Sequence, residues 1–253
     1  MILTMLAATV LAPAANWKLV WNDEFARTGA PDPKKWTYEK GYIRNNEKQF
    51  YTADRRENAR VEGGRLIIEA RKDNFEGKEV TSASLTTQGI AEWSSGRFEV
   101  RAKVPAMRGT WPAIWLLGSS IPTIGWPKCG EIDIMEHVGF DVGRIHANIH
   151  TEAYNHMNGK GRGANVVQPL VTSKFHVYAL EWTADKIEVF MDGKSYFTYM
   201  KESDDVAVWP FNKPHYLILN LAIGGAWGGQ QGIDDTGYPT RFEVDYVRVF
   251  QPK

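Results

Sequence analysis

The chain of 253 residues holds a single cysteine, Cys129, which excludes an internal disulfide framework, and no Cys/His cluster has the spacing of a zinc site. Charge of one sign is also lacking. Thirty Lys and Arg balance thirty Asp and Glu, so there is no basic field to draw nucleic acid or an anionic membrane. From Asn16 onward there is no Pro/Ser-rich linker, charge block or internal repeat, and no helical periodicity beyond about two turns. The apolar run MILTMLAATVLAPAA at residues 1–15 is too short to span a bilayer. It ends in small residues, as a signal-peptide cleavage site requires, although no Lys or Arg precedes Lys18. The expectation is a signal peptide or its remnant at 1–15, one domain at 16–253, and an exported protein, secreted or periplasmic, without membrane insertion. A disordered or packed N-terminal arm is the alternative. What the chain has in quantity is flat aromatic surface: ten Trp, ten Tyr and eleven Phe, which suits a protein that stacks rings on a ligand.

Strand signals dominate. In GRFEVRAKV (96–104), Arg97, Glu99, Arg101 and Lys103 alternate with Phe98, Val100, Ala102 and Val104, the period-2 signature of a strand with one dry and one polar face. In KIEVFMDGKSYFTY (186–199), Asp192-Gly193 separates two alternating segments, the chemistry of a type I′ hairpin. Further strands are expected at 65–70, 144–151, 175–183, 215–223 and 241–250. Many short strands divided by Gly, Pro and Asn predict an all-β antiparallel sandwich or barrel, with the sandwich favoured. Long loops at 118–130 and 152–169 are where such a scaffold builds binding surface.

The stretch GEIDIMEHVG (130–139) packs Glu131, Asp133 and Glu136 into six residues without a Lys or Arg. As a strand it sends Glu131 and Asp133 to one face and Ile132 and Ile134 to the other. Strict alternation would bury Glu136 with the isoleucines, at the cost of a lone dry carboxylate. A β-bulge near Met135 resets the alternation and returns Glu136 to the other two acids. The following strand, RIHANIHT (144–151), carries His146, Asn148 and His150 on one face. A hairpin between the two sets Glu131 opposite His150 and Asp133 opposite Asn148, and the bulge brings Glu136 opposite His146.

With the bulge, Glu131 and Glu136 stand about 13 Å apart at the backbone, at roughly 3.3 Å per step. Side chains leaning together close this toward the roughly 5 to 5.5 Å of a retaining glycosidase rather than the 6.5 to 9.5 Å of an inverting one. An isolated ExDxxE more often marks a solvated polar face. Here the acids lack basic partners, the facing strand carries histidines, and Trp111, Trp115, Trp126 and Trp227 lie nearby to stack on sugar C–H faces.

GEIDIMEHVG, preceded by TWPAIWLLG (110–118) and followed by IGGAWGG (223–229), resembles glycoside hydrolase family 16, in particular its laminarinase-type endo-β-1,3-glucanases. LVWNDEF (19–25), NNEKQFYT (45–52) and VDYVRVF (244–250) extend the resemblance over residues 17–250. It implies a β-jelly roll of two curved antiparallel sheets with a concave cleft, and retaining endo-hydrolysis of β-1,3-glucan, with mixed-linkage β-1,3-1,4-glucan as a further substrate. Glu131 would be the nucleophile, Glu136 the acid/base and Asp133 their helper. By the same resemblance Trp111 and Trp115 would form a glycone-side platform, Asn45 and Arg97 would bond sugar hydroxyls, and His150 and Trp227 would line the cleft. No cofactor would be needed for catalysis, and Glu24, Gly64 and Asp245 would hold a structural calcium. A monomer acting on polysaccharide is expected. Ala226 stands where many such relatives have Asn, a departure that leaves one sugar contact of the family open in this chain. A non-catalytic glucan-binding protein and a transglycosylase are the competing readings on this fold.

Overall fold

Alternation between inward apolar and outward polar residues builds two sheets that close on one core. The structure is a computed structural model that describes residues 17–253, so the expected export segment at 1–15 lies outside the described residues. One sheet has seven strands in the order Arg162–Val167, Arg144–His150, Glu131–Glu136, Thr110–Gly118, His215–Ile223, Ser84–Thr86 and Thr37–Tyr38. The other has ten. Its main path runs Lys194–Met200, Lys186–Met191, His176–Trp182, Gly96–Lys103, Thr240–Pro252, Arg65–Phe75, Lys78–Ser82 and Phe50–Tyr51, with Trp17–Asp23 and Ala59–Glu62 paired alongside. Together they form a β-jelly-roll sandwich whose concave, seven-stranded sheet carries the acids.

The core lies between the sheets and takes Ile132, Ile134, Ile145 and Ile149 from one side and Phe98, Val100 and Val247 from the other, all fully buried. Burial of each such side chain stabilises the fold by roughly 1.5–3 kcal/mol relative to exposure. The Gly96–Lys103 strand shows the expected alternation: Phe98, Val100 and Ala102 point in, while Arg97 and Arg101 face out. The predicted hairpin forms between Lys186–Met191 and Lys194–Met200, and both turn residues, Asp192 and Gly193, have positive φ (49° and 78°) as a type I′ turn demands.

Two features depart from the expected pattern. The 152–169 loop contributes an edge strand, Arg162–Val167, in which only Ala164 and Val166 turn to the core, too short an apolar alternation to stand out from the loop around it. The pairing of Phe50–Tyr51 with Lys78–Ser82 is parallel, so the ten-stranded sheet is not antiparallel throughout. The 118–130 loop holds one helical turn, Ile121–Ile124.

Candidate active site

The acidic strand pairs with its neighbour in the register required to face all three acids one way. Glu131 opposes His150, Asp133 opposes Asn148 and Glu136 opposes His146, with a slip between Asp133 and Glu136. Against Thr110–Gly118 the slip falls between Asp133 and Met135, so Ile134 is the residue without an opposite number on either side. Ile134 and Met135 both enter the core, and Glu136 emerges beside Asp133. Absence of side chains lets the strand be gripped closely at both ends: a Cβ on Gly118 would stand 1.9 Å from the Cys129 carbonyl oxygen, and one on Gly139 1.8 Å from that of Met107.

Each glutamate is held by named donors. The Trp126 indole N–H donates to Glu131 Oε2 at 3.0 Å. Trp111 donates to Glu136 Oε1 at 3.0 Å and the Asn148 amide to Glu136 Oε2 at 2.8 Å. His150 Nε2 lies 3.6 Å from Glu131 Oε1 and 3.4 Å from Asp133 Oδ2. Burial raises the pKa of all three acids, and like charge adds to it, most from Glu131 on Asp133 and from Asp133 on Glu136. On Glu131, burial raises the pKa most and the charge of Glu136 adds to it, while His150, Arg44 and the Trp126 N–H pull the other way and favour the carboxylate. For His150, burial works against the imidazolium, but Asp133 beside it and the charges of Glu131 and Glu136 outweigh burial and push its pKa up to about 9. Glu131, Asp133 and His150 offer donor atoms within 4.8 Å of one another, a spacing that suits a metal; the His150 proton already supplies positive charge at that point.

The structure brings Trp111, Trp227 and His150 to the acids. Trp111 and Trp227 stand edge to face at 5.5 Å by Glu136, and His146 packs edge-on to Trp227 at 4.8 Å. Trp111 therefore serves the Glu136 end rather than a platform shared with Trp115. Trp115 is 6% exposed, its indole bonds Asn220 at 2.8 Å, and Arg44 lies over its ring at 5.0 Å, so it is floor beneath Arg44 and not an open platform. Asn45 is exposed and near the cleft, its amide donating to Glu47 at 3.2 Å and its carbonyl accepting from Ala226 N at 2.9 Å.

Arg97 is a correction. It belongs to the ten-stranded sheet, and the alternation that buries Phe98 turns Arg97 to the outer surface, where it is neutralised by Glu99 at 2.6 Å and Glu181 at 2.5 Å. The arginine at the cleft is instead Arg44, which is ion-paired with Glu39 and lies over Trp115. The calcium positions lie elsewhere: Gly64 sits in the turn after Ala59–Glu62, Glu24 holds Arg248 through both oxygens at 2.8 Å, and Asp245 holds Arg101 at 2.6 Å. Asp245 marks a slip in register between Val244 and Tyr246. With both carboxylates neutralised by arginine, a calcium fits this set only through backbone carbonyls and by taking Asp245 from Arg101.

The sequence places Trp126 and Asn148 near the acids but does not show them as the hydrogen-bond donors to Glu131 and Glu136, and it does not point to Arg44 at all. Asn148 was legible as the amide on the facing strand, and Trp126 as an aromatic in a Gly/Pro-rich loop; nothing local marks Arg44. His156 also joins the Glu131 end, its ring 5.3 Å from both Trp126 and His150.

The sequence profile of glycosyl hydrolases family 16 matches residues 46–248. A β-glucanase of Rhodothermus marinus is 50% identical over 258 aligned positions, spanning 98% of this chain and 90% of the relative. The crystal structure of a laminarinase from Rhodothermus marinus superposes with a TM-score of 0.91 at 50% identity, covering 94% of this chain and 98% of that one. SCLam, a non-specific endo-β-1,3(4)-glucanase, superposes with a TM-score of 0.91 at 46% identity over 96% of this chain and 94% of its own.

Proposed function

Because the chain belongs to glycosyl hydrolases family 16, we propose that it is an endo-β-1,3-glucanase that also cuts mixed-linkage β-1,3-1,4-glucan, with retention of anomeric configuration. The observation that carries this reading is the bulge register, which sets Glu131 and Glu136 on one cleft face with Asp133 between them. Glu131, whose carboxylate form His150 and Trp126 favour, attacks the anomeric carbon while Glu136 gives its proton to the departing glycosidic oxygen. That attack converts the Glu131 carboxylate into a neutral ester. Glu131 and Glu136 interact through space, so loss of one negative charge lowers the Glu136 pKa when it must act as base. Glu136 then takes a proton from water, whose oxygen displaces Glu131 and restores both groups. Trp111, Trp227 and Trp126 supply ring faces and edges at the two ends of the acid row.

The test is release of reducing sugar from laminarin and lichenan, with the anomer of the first product read by NMR. Retained product from internal cuts is expected, and Glu131→Ser should abolish turnover while oligosaccharide binding persists. An inverted first product, or binding without release, would overturn the reading.

Three further elements belong to the proposal. The apolar 1–15 segment and an extracellular class of substrate support export, and one complete acid row per chain supports action as a monomer. Calcium on the backbone carbonyls near Glu24 and Gly64, with Asp245 released from Arg101, would tie the first and last strands together. At a calcium concentration about a hundred times Kd such a site adds about 2.7 kcal/mol. Chelation should then lower Tm by roughly 5–10 °C, and an unchanged Tm removes calcium from the proposal.

A further inference from the structure

The bulge that aims Glu136 leaves its own backbone to be accounted for. Ile134 has no opposed residue in either neighbouring strand and is fully buried, so no water is at hand for its carbonyl. A buried carbonyl without a partner is costly and gives the strand a reason to slip back into regular register. The partner comes from the opposite sheet. The Tyr196 phenol donates to the Ile134 carbonyl at 3.0 Å, across 62 positions in sequence.

Tyr196 is itself the odd residue of a second bulge. In the hairpin of Lys186–Met191 with Lys194–Met200, Val189 opposes Phe197 but Phe190 opposes Ser195, and Tyr196 has no opposite number. That slip lets Tyr196 pack against the core together with buried Phe197. Two irregularities, one per sheet, are thus joined by a single hydrogen bond directly behind the acids.

We propose that Tyr196 is a positioning residue for catalysis, which fixes the Ile134 bulge and so holds Glu136 where it can protonate the leaving oxygen. This rests on the glycosidase reading of the site. Without the phenol, Ile134 and Met135 can share their turn differently, and Glu136 loses its aim while Trp111, Trp126 and His150 keep theirs.

The experiment compares the chain with its Tyr196→Phe variant on two substrates, at a temperature where both are folded by circular dichroism. One is laminarin, whose leaving group needs a proton. The other is an aryl β-1,3-oligoglucoside with an activated phenolate leaving group, which does not. Misplacement of Glu136 should lower kcat/KM about tenfold on laminarin and less than twofold on the aryl glycoside, with KM for laminarin little changed. Tyr178→Phe, which removes a neighbouring buried phenol without a hydrogen-bond partner, should leave the ratio of the two rates as it is. Equal losses on both substrates, or no loss on laminarin, would overturn the proposal. So would failure of both Tyr196→Phe and Tyr196→Met to fold, because the residue would then serve the core alone. Inactivity of the unsubstituted chain on both substrates would instead reject the glycosidase reading itself.

Discussion

Replacing His150 by glutamine removes a positive charge from the centre of the acid row and leaves a neutral polar side chain in its place. The charge stands 3.6 Å from Glu131 and 3.4 Å from Asp133. At an effective dielectric of about 20, a unit pair at that range interacts by about 4–5 kcal/mol. Glu131 is 16% exposed, so solvent screens part of this, and the remainder is still large enough to move its titration. The sign follows from the charge: without the imidazolium, proton loss from each carboxyl becomes harder, and every acid in the row titrates at higher pH. Glu131 must be ionised to attack, so the acid limb of the pH profile of kcat/KM moves upward. Glu136 must be protonated to donate, so the alkaline limb moves upward too. The assay is kcat/KM on laminarin across both limbs for the chain and for His150→Gln. Limbs that stay in place, or that move toward acid, would refute the claim that His150 is charged and sets the ionisation of the row.

Other consequences concern stability and the support of Glu136. Burial and Asp133 raise the pKa of Glu136 above its unfolded value, so its contribution to stability is full below the unfolded pKa and is lost as pH rises toward the folded one. At neutral to alkaline pH, Glu136→Gln should therefore abolish laminarin hydrolysis yet raise Tm by several degrees, for a relief of about 1–2 kcal/mol; a lowered Tm would contradict it. Gly163 lies opposite Asn148, and a Cβ there would meet Asn148 Oδ1 at 2.0 Å and the Ala147 carbonyl oxygen at 2.6 Å. Gly163→Ala should push the amide off Glu136 and cost about tenfold in kcat/KM, the worth of one hydrogen bond to an ionisable group. Asn148→Ala should cost the same, and the double variant no more, whereas additive losses would show that the two positions act separately.

What could be read from sequence is what a local rule decides, and what escaped depends on a partner far away in the chain. GRFEVRAKV states which of its residues face inward, because burying Arg97 instead of Phe98 would be prohibitive, but it does not state which sheet the strand joins. The sugar-binding expectation for Arg97 failed there: its face was right and its sheet was the outer one. GEIDIMEHVG allowed more, since strict alternation would have buried Glu136 among isoleucines, and the cost of that error required a bulge before any fold was known. Trp115 shows the limit again, because its burial involves Arg44, from a loop seventy-one positions earlier, and Asn220, far along the chain. The short parallel pair at Phe50–Tyr51 has only two residues in which to show a period. Tyr196 combines both cases. Its place in an alternating hairpin strand assigns it a face, yet only the slip against Val189 and Phe190 brings it to the core, and only the matching slip at Ile134 gives its hydroxyl a carbonyl to meet. An irregularity in one strand is therefore readable when an unpaired charge forces it, whereas the contact that stabilises the irregularity must be sought in the other sheet.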